Sequence, residues 1–451
     1  MNILHYTLGL PPYRSGGLTK YATDLMQSQS ESGDTVTLLY PGDYTFWRLP
    51  KIKIVKNEVS NNIYIYEIKN PAPVPLLHGV GNPNDILNGQ NELSEIDLNQ
   101  FYNETVPDVF HIHTLMGLPL NLLEFLKTKG VKVVYTSHDY YGLCLKVNFI
   151  NKEGLFCTTP GGNECANCNT DAPKSLFIRL RNSKYFLKYK SMLSRFAKHK
   201  EVKKTKVSSI FVPQSKVNSY SSLIELYHKY FVLIDCFHFN STVSKEVFQQ
   251  YITPKQFVVL PISHTGISDN REIKIIDSKH IRLGFIGSKA TYKGFPLLKS
   301  VLNKLDNSGI SNWSLQVWGN EIGVDLDNDK IQHKGKFSSE NIKNVFSEID
   351  LLIVPSVWKE TFSLITLEAL SYGVPVLVSS NVGAKDIVSD YYSDFVFFPS
   401  EENLNFTLQN ILSNPNLLEE YNKKIYSNKF DYSLEDHLLK IKELYINLNS
   451  I

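Results

Sequence analysis

Short apolar and β-branched runs alternate with helical segments in two separate parts of this 451-residue chain. Near the start, an apolar run at 3–6 precedes a Pro/Gly-rich loop and a helical segment at 18–31. After residue 280, apolar runs at 281–286 and 314–318 flank a helical segment at 295–305. Strands that alternate with helices pair in parallel and are covered by those helices. The sequence therefore predicts two α/β domains.

The domain boundary is expected where this alternation is interrupted. A chain of 451 residues is longer than one ordinary core, and a composition of 42% hydrophobic and 20% charged residues suits a globular protein. Residues 261–280 are polar and include Pro261 and Gly266, as expected of a linker. We predict an N-terminal domain at 1–265 and a C-terminal domain at 266–451, with the last helix packing back on the first domain.

Charge and targeting signals narrow the class of protein. The formal net charge is +2, from 47 basic and 45 acidic residues, and gives no reason to expect a nucleic-acid partner. The first residues lack the pattern of a signal peptide, and no apolar run reaches the roughly 18 to 20 residues of a membrane-spanning helix. Five cysteines are too few for a disulfide scaffold of this size. We expect a cytoplasmic protein.

Glu360 and Glu368 stand eight positions apart at the start of a helical segment that follows the apolar run 351–354. A loop at the carboxyl end of a parallel strand is where α/β proteins bind ligands, and the N–H groups of the following helix suit a phosphate. Phe362, Ser363, Leu364 and Ile365 would supply those groups. The alternative is that both glutamates are solvated on an amphipathic helix.

The sequence here resembles the retaining glycosyltransferases of family 4, through the motif of two glutamates separated by seven residues. GFIGSKATYKGF at 284–295 is similar to the family's glycine turn, with Lys293 as its lysine. GGLTKYATDL at 16–25 is similar to the N-terminal glycine loop, and SHDYYGLC at 137–144 to the segment with an active-site histidine. The resemblance implies the GT-B fold, in which two Rossmann-like α/β domains face each other across a central cleft.

The resemblance also implies roles for individual residues. Glu360 would hold hydroxyls of a donor sugar, Glu368 the nucleotide ribose, and Lys293 with the 362–365 backbone the diphosphate, while His138 would lie in the active site. Gly16 and Gly17 would let a sugar phosphate approach the backbone. The catalytic residues predicted in this way are His138, Lys293 and Glu360. Without the resemblance, the lysine reads as a surface residue, the glycines as a turn, and the histidine as a core or turn residue.

The sequence departs from the family pattern at two places. Ser288 stands where the family commonly has an arginine, so one diphosphate contact is missing or comes from elsewhere, with Lys289 as a candidate. Residues 383–386 read Gly, Ala, Lys, Asp where the family shows two glycines and a glutamate, and we assign no role to Asp386.

The implied function is retaining hexosyl transfer from a nucleotide-diphosphate sugar, most simply a UDP-sugar, to a glycan, a lipid-linked acceptor or a protein. The nucleotide-sugar is a co-substrate, and no catalytic metal is expected. The mechanism implied is an oxocarbenium-like transition state, with the leaving phosphate deprotonating the acceptor. Two alternatives stay open: a catalytically inactive partner that regulates a sister transferase, and a sugar-nucleotide epimerase of the same fold.

Four of the five cysteines form a cluster within 25 residues, in a polar insertion at about 144–173. Four thiolates suit a structural zinc ion, which would order this segment, and the alternative is a reduced, metal-free loop. The candidate ligands are Cys144, Cys157, Cys165 and Cys168.

Residues 179–206 hold eleven Lys or Arg residues against one acidic residue, Glu201, interleaved with aromatic side chains. This pattern indicates a basic amphipathic helix that binds an anionic membrane surface, and would place the enzyme at the inner face of the cell membrane. A solvated helix that packs its aromatic side chains on the domain is the alternative.

Overall fold

The computed structural model describes residues 1–44, 52–88, 92–183, 186, 212–319 and 322–449. The chain divides into two compact units. The first contains residues 1–238, 248–258 and 441–451, and the second contains residues 239–247 and 259–440. The predicted boundary at 265/266 falls within the second unit, and the chain passes between the units more often than a single boundary allows.

The first unit is built on an eight-stranded sheet with strand order β3-β4-β2-β1-β5-β6-β7-β8. The neighbours from β4 to β7 pair in parallel, and β3 pairs antiparallel with β4 as a hairpin. The strands are β1 Asn2–Tyr6, β2 Thr35–Pro41, β3 Lys53–Ser60, β4 Ile63–Lys69, β5 Val109–Ile112, β6 Lys132–Thr136, β7 Cys236–Phe239 and β8 Phe257–Val259.

The second unit is built on a seven-stranded sheet with strand order β11-β12-β10-β9-β13-β14-β15. Its strands pair in parallel, except that β11 pairs antiparallel with β12. The strands are β9 Ile281–Ile286, β10 Trp313–Trp318, β11 Ile322–Val324, β12 Ile331–Gly335, β13 Leu351–Val354, β14 Val376–Ser379 and β15 Val396–Phe397.

Helices connect the parallel strands. Up to residue 249 they are α1 Gly17–Glu31, α2 Asn84–Leu87, α3 Glu95–Thr105, α4 Leu120–Thr128, α5 Gly162–Cys168, α6 Ser175–Asn182, α7 Gln214–Leu233 and α8 Thr242–Gln249. After residue 290 they are α9 Phe295–Asn307, α10 Ile342–Ser347, α11 Leu364–Ser371, α12 Lys385–Tyr392, α13 Glu401–Ser413, α14 Asn416–Ser427 and α15 Leu434–Asn449. Short 3₁₀ turns lie at Leu76–His78, Thr291–Lys293, Ser339–Asn341 and Ser393–Phe395.

Both sheets follow the same winding rule. If the antiparallel edge strand of each is set aside, the parallel strands begin in the spatial order 3-2-1-4-5-6 along the chain, which is the Rossmann order. Strands such as β5 and β13 are buried along their whole length, because helices cover both faces of a parallel sheet. The predicted pair of Rossmann-like α/β units is therefore present.

Candidate functional site

The strand order locates one crevice in each unit. In a doubly wound sheet, ligands bind outside the carboxyl ends of the strands at the point where the order reverses. In the second unit this switch point lies between β9 and β13, which are neighbours in the sheet. The loop that leaves β9 carries Lys293, and the loop that leaves β13 carries Glu360. Two residues that are 67 positions apart in sequence are thus brought to one edge of the sheet.

Lys293 and Glu360 form an ion pair at this edge. Lys293 Nζ donates to Glu360 Oε1 at 2.7 Å, and Ser356 Oγ donates to Glu360 Oε2 at 2.7 Å. The Lys293 ammonium also lies 5.5 Å from the centre of the Trp358 ring, within the range of a cation–π contact. Both oxygens of Glu360 therefore have donors, and Lys293 is held in place by the carboxylate and the Trp358 ring.

Glycine allows the two loops to approach each other. A Cβ atom on Gly294 would lie 1.8 Å from the carbonyl oxygen of Pro355, and Gly294 has a φ of 77°. Any larger residue would overlap the backbone of the β13 loop in a conformation that side chains disfavour. The Val357 N–H donates to the Tyr292 carbonyl at 2.9 Å. This hydrogen bond joins the two loops a second time, two residues from the contact between Gly294 and Pro355.

The backbone of Glu360 is fixed from the other side by the loop after β14. Its N–H donates to the Asn381 carbonyl at 2.9 Å, and its own carbonyl accepts from the Gly383 N–H at 2.9 Å. A Cβ on Gly383 would lie 2.1 Å from the carbonyl oxygen of Thr361, so this approach again requires glycine. The sequence 383–386 therefore keeps a glycine where contact with the Glu360 loop needs it.

Helix α11 begins immediately after this loop. Its first residues include Leu364 and Ile365, and the N–H groups of a first turn have no acceptor within their own helix. Ser363 precedes the helix with a φ of 105°, which is unusual for a residue with a side chain, while Phe362 is buried. Backbone strain of this kind concentrates at functional sites. The four predicted phosphate-binding positions, 362–365, therefore begin two residues after Glu360 in the chain.

Glu368 lies within α11 and faces a residue that sequence reasoning missed. Its Oε1 is 2.9 Å from His264 Nε2, although the contact lacks the alignment of a hydrogen bond. His264 Nδ1 accepts from the Gly266 N–H at 3.0 Å, so the proton of the neutral ring is on Nε2 and faces the carboxylate. No spacing pattern connects residue 264 with residue 368, because the contact depends on the path of the polar segment that precedes β9.

A cavity of about 260 Å³ opens where β9 and β10 end in the second unit. Ser288 and Lys289 line it, and Ser288 Oγ accepts from the Ala290 N–H at 3.3 Å. The Lys289 ammonium lies 5.7 Å from the centre of the Phe295 ring. A lysine is therefore present beside the position where the family commonly has an arginine, although its ammonium is held over an aromatic ring.

Asp386 has a structural role that the sequence did not indicate. Its carboxylate accepts from the backbone N–H of Thr242 at 2.8 Å and from the Thr242 hydroxyl at 2.6 Å, at the first residue of α8. It binds residues 239–247 to the rest of the second unit. A carboxylate at a helix N-terminus is also favoured by the helix dipole.

The predicted histidine of the first unit, His138, follows β6 by two residues, and most of its side chain is buried. Its ring is 5.0 Å from that of Tyr21 in α1, the helix that begins at Gly17. Gly16 precedes this helix with a φ of 111°, and a Cβ added there would meet open space. The glycine loop and His138 are therefore linked through Tyr21, one turn into the helix.

Behind His138 lies a chain of histidines that sequence reasoning missed. His138 Nε2 is 3.2 Å from His113 Nδ1, and His113 Nε2 is 3.0 Å from His5 Nδ1. His5 Nε2 continues the chain to Gln29 Oε1 at 2.7 Å. His111 lies beside them, with hydrogen bonds to Tyr445 and Thr136 at 2.6 Å each. The repeat His-Ile-His at 111–113 could have indicated that histidines lie on this sheet. His5 gave no such indication, because the residues around it are apolar.

Burial keeps these histidines uncharged. It lowers the pKa of His138 to about 3 and that of His5 to about 4, and the pKa of His113 falls well below its usual value for the same reason. The neighbouring Asp139 responds in the opposite sense, because burial raises its pKa to about 6. At neutral pH His138 is therefore a neutral hydrogen-bonding group and not an imidazolium.

The four clustered cysteines share one region of the first unit and carry no disulfide. The pKa of Cys144 is raised to about 11 and that of Cys165 to about 12, mainly by burial and to a smaller extent by the other thiols of the cluster. Within the described part of the chain, only one group of three or more metal-binding side chains has its ligand atoms within 4.8 Å of one another, and it is His5, His111 and His113. The zinc site remains a prediction.

The basic segment 179–206 lies largely outside the described residues, which include its first five positions and Phe186. Among the residues that are described, no helix combines the length and the apolar content needed to cross a bilayer.

Comparison with known proteins agrees with this architecture. Residues 267–428 match the family described as "Glycosyl transferases group 1". Over 118 residues the chain is 25% identical to an uncharacterized 41.2 kDa protein in the cps region of Klebsiella pneumoniae, covering 26% of this chain and 32% of that protein. Over 175 residues it is 26% identical to an uncharacterized glycosyltransferase of Methanocaldococcus jannaschii, covering 36% and 44%. The matches thus span less than half the length of these curated relatives.

Solved structures match almost the whole chain at low identity. A glycosyltransferase from Rickettsia africae gives a TM-score of 0.57 at 14% identity, covering 99% of this chain and 98% of that one. HepE of Anabaena, solved in complex with UDP and glucose, gives 0.55 at 12% identity, covering 98% and 99%. At these identities the likeness concerns the fold.

The GT-B fold predicted from the motifs is thereby confirmed. Residues 267–428 match the group 1 glycosyl transferases, the kind of family that the motif of Glu360 and Glu368 indicated.

Proposed function

We propose that this protein transfers a sugar, with retention of anomeric configuration, from a UDP-sugar to a glycan, lipid-linked or protein acceptor. The observation that carries the proposal is the Lys293–Glu360 pair at the switch point of the second unit, followed directly by the start of α11. A cation, a carboxylate and helix N–H groups are what a sugar diphosphate requires at one site.

The ion pair gives each partner a role when the donor binds. The Lys293 ammonium would leave Glu360 for the diphosphate, while Glu360 would accept hydrogen bonds from hydroxyls of the sugar. The carboxylate would keep its hydrogen bond from Ser356, which holds its orientation. The exchange costs little, because each charged group gains a partner of suitable chemistry for the one it loses.

The chemical step breaks the bond between the anomeric carbon and the phosphate oxygen and forms a bond from that carbon to the acceptor oxygen on the same face. The acceptor proton passes to the leaving phosphate oxygen, so no protein base is needed. Positive charge develops on the sugar and negative charge on the leaving diphosphate. Lys293 and the first N–H groups of α11 would stabilise the diphosphate, which is where preorganised donors lower the barrier most.

Glu368 would bind the nucleotide ribose, with His264 as its positioning partner. The Nε2–H of His264 lies against one carboxylate oxygen and leaves the other for ribose hydroxyls. Uridine is our choice of nucleoside because HepE of Anabaena, which shares the fold, was solved with UDP and glucose.

The acceptor would bind to the first unit. A cavity of about 210 Å³ lies at the carboxyl ends of β1 and β2, where Arg14 is anchored by hydrogen bonds to the Leu8 carbonyl and to Asn182. Its guanidinium suits an acceptor that carries phosphate or carboxylate. His138, neutral at physiological pH, would act by hydrogen bonding to the reacting sugars. The basic segment 179–206 would bring a cytoplasmic enzyme to the inner face of the membrane and its lipid-linked acceptor.

Donor hydrolysis by purified protein tests the proposal. Wild type and Glu360→Gln would be incubated with UDP-, GDP- and ADP-sugars without added metal, with Glu402→Gln, an exposed glutamate of the same unit, as the matched control. We expect slow release of sugar from one UDP-sugar, with the anomer retained, lost in Glu360→Gln and kept in Glu402→Gln. If no donor turns over and none raises the melting temperature, the chain is an inactive partner, and activity would then appear only on mixing with a sister transferase.

A further inference from the structure

Gln29 is a buried polar residue of α1 to which the proposed transfer reaction gives no role. Its side chain is 1% exposed and forms two hydrogen bonds inside the first unit. Gln29 Oε1 accepts from His5 Nε2 at 2.7 Å, and Gln29 Nε2 donates to the Tyr445 hydroxyl at 3.3 Å. The amide therefore lies at the inner end of the histidine chain, which is formed by His5, His113 and His138.

A carboxamide differs from an imidazole in having a fixed donor and a fixed acceptor. Its oxygen only accepts and its nitrogen only donates, whereas a neutral imidazole can carry its single proton on either ring nitrogen. The rings of the histidine chain are uncharged at neutral pH because burial lowers their pKa values. A series of such rings has no direction of its own, so the residue at its end decides which nitrogen of each ring is protonated.

The direction that Gln29 imposes can be followed from ring to ring. Because Gln29 Oε1 only accepts, the proton of His5 lies on Nε2 and its Nδ1 is an acceptor. His5 Nδ1 lies 3.0 Å from His113 Nε2, which therefore donates, and His113 Nδ1 becomes an acceptor in turn. His113 Nδ1 lies 3.2 Å from His138 Nε2, which donates to it. The proton of His138 thus lies on Nε2, and its Nδ1 carries the lone pair.

His138 is the member of the histidine chain that reaches solvent. His5 and His113 are 0% and 1% exposed, whereas His138 retains partial exposure. A ring nitrogen with a lone pair accepts a hydrogen bond from a hydroxyl but gains nothing from a phosphate or carboxylate oxygen, which also only accepts. The chemistry that suits His138 Nδ1 is therefore a hydroxyl group, such as those of a sugar.

We propose that Gln29 is a positioning residue that acts through the histidine chain to hold His138 in its Nε2–H tautomer, with Nδ1 as the acceptor for a sugar hydroxyl. The opposite tautomer of His138 would place two lone pairs or two N–H groups against each other at one contact of the chain. A buried polar group without a partner is unfavourable, so the amide stabilises one tautomer. The sugar hydroxyl rests on the proposed sugar transfer, whereas the tautomer does not.

Nitrogen NMR of protein with isotope-labelled histidine measures the tautomer directly. The protonated and unprotonated nitrogens of a neutral imidazole have well separated resonances, and comparison with His138→Gln assigns those of residue 138. We expect a proton on Nε2 in the wild type and a mixture of tautomers in Gln29→Met, whose two resonances move toward each other. Gln27→Met, the same change at a residue of α1 that donates to Glu31, should leave both in place. A wild-type proton on Nδ1, or no change in Gln29→Met, would overturn the proposal.

Substitution of His113 separates the direction of the chain from its packing. His113→Gln supplies an amide whose oxygen can accept from His138 and whose nitrogen can donate to His5, so the tautomer should be kept. His113→Leu fills the space without hydrogen bonds, so the tautomer should become mixed. If both variants gave the same nitrogen resonances for His138, direction would not pass through residue 113 and the proposal would fail.

Turnover of a UDP-sugar that the wild type hydrolyses gives the functional consequence. We expect a fall of roughly twofold to tenfold in Gln29→Met and in His113→Leu, as for the loss of one neutral hydrogen bond, and partial recovery in His113→Gln. Equal loss in the two His113 variants would show a purely structural role and contradict the proposal. If the wild type hydrolyses no donor, sugar transfer itself fails, while the NMR measurement still decides whether Gln29 sets the tautomer.

Discussion

The two units use one strand order but place different chemistry at the point where it reverses. In the second unit an ion pair, Lys293 with Glu360, lies at the ends of β9 and β13. In the first unit the corresponding strands β1 and β5 carry His5 and lead to His113, which are buried and neutral. The same backbone edge thus presents charge in one unit and uncharged hydrogen-bonding groups in the other. In proteins of this fold class the loops determine the chemistry of the site, and the sheet determines only where the site lies.

The largest expected difference between the units is their response to acid. His5, His113 and His138 have lowered pKa values when folded, so the unfolded chain takes up protons below about pH 6.5 that the folded chain does not bind until about pH 4 or lower. The contribution of these histidines to the free energy of unfolding of the first unit is therefore fully present above pH 6.5. It is lost as the pH falls, by about 1.4 kcal/mol per pH unit for each histidine. Asp139, with a raised pKa, offsets about one of them between pH 6 and 4.

Hydrogen exchange read by mass spectrometry, at pH 7 and pH 5 and corrected for the intrinsic rate, checks this prediction. Protection in β1, β5 and β6 should fall more than protection in β9 and β13. His5→Gln, which keeps a hydrogen-bonding group beside Gln29, should reduce the pH dependence by one proton. Equal loss of protection in both sheets would contradict the comparison.

The next largest effect concerns the charge at the second switch point. Lys293→Met should lower the rate of donor turnover by about 10²-fold to 10³-fold, because a preorganised donor is removed from the leaving diphosphate. Lys299→Met is the matched control, since Lys299 pairs with Asp325 and Asp327 in the same unit. Steady-state kinetics with the preferred donor measure both. A similar loss in the two variants would assign the effect to folding.

Substitution of Gly294 tests whether the two loops must touch. Gly294→Ala places a methyl group against the Pro355 carbonyl, so we expect a loss of roughly 2 to 4 kcal/mol of stability together with turnover. Gly309 also has a positive φ, of 91°, but a Cβ there meets open space. Gly309→Ala should cost only about 1 kcal/mol, the strain of the backbone alone. Denaturant unfolding followed by the tryptophans of the second unit would distinguish the two.

The smallest effect is expected at His264. His264→Ala should weaken nucleotide binding about tenfold, equivalent to about 1.4 kcal/mol, with little change in turnover at saturating donor. His264→Gln should restore part of the affinity, because an amide can also donate toward Glu368. His280, which bonds to Ser314 in the same unit, provides the control His280→Ala. Calorimetric titration with UDP gives the affinities, and unchanged binding in His264→Ala would remove the proposed positioning role.

The features that could be predicted from the sequence are those encoded within short segments of the chain. Alternation of strands and helices indicated two parallel sheets, and the spacing of Glu360 and Glu368 with the glycine turn before Lys293 indicated where the second unit would bind a ligand. These patterns lie within single βα units. The pairing of Lys293 with Glu360 was not predicted, because it depends on the close approach at Gly294.

What the sequence left unpredicted depends on contacts between distant segments. His264 meets Glu368 across 104 positions, and Asp386 holds Thr242 across 144 positions. The inner face of the first sheet reads as apolar although it carries several histidines, since a buried histidine that is hydrogen-bonded fits a strand as well as a leucine does. The place of residues 239–247 in the second unit leaves no local signal in the sequence.

Tyr445 has a consequence for synthesis of the protein. Its hydroxyl bonds to His111 and to Gln29 in the buried histidine layer, yet it comes from α15, after the whole of the second unit. A ribosome making this chain must therefore complete the second unit before the first can close its core. Until then His111 and Gln29 lack the Tyr445 hydroxyl as a hydrogen-bonding partner. The first unit therefore leaves the ribosome first but completes its core last.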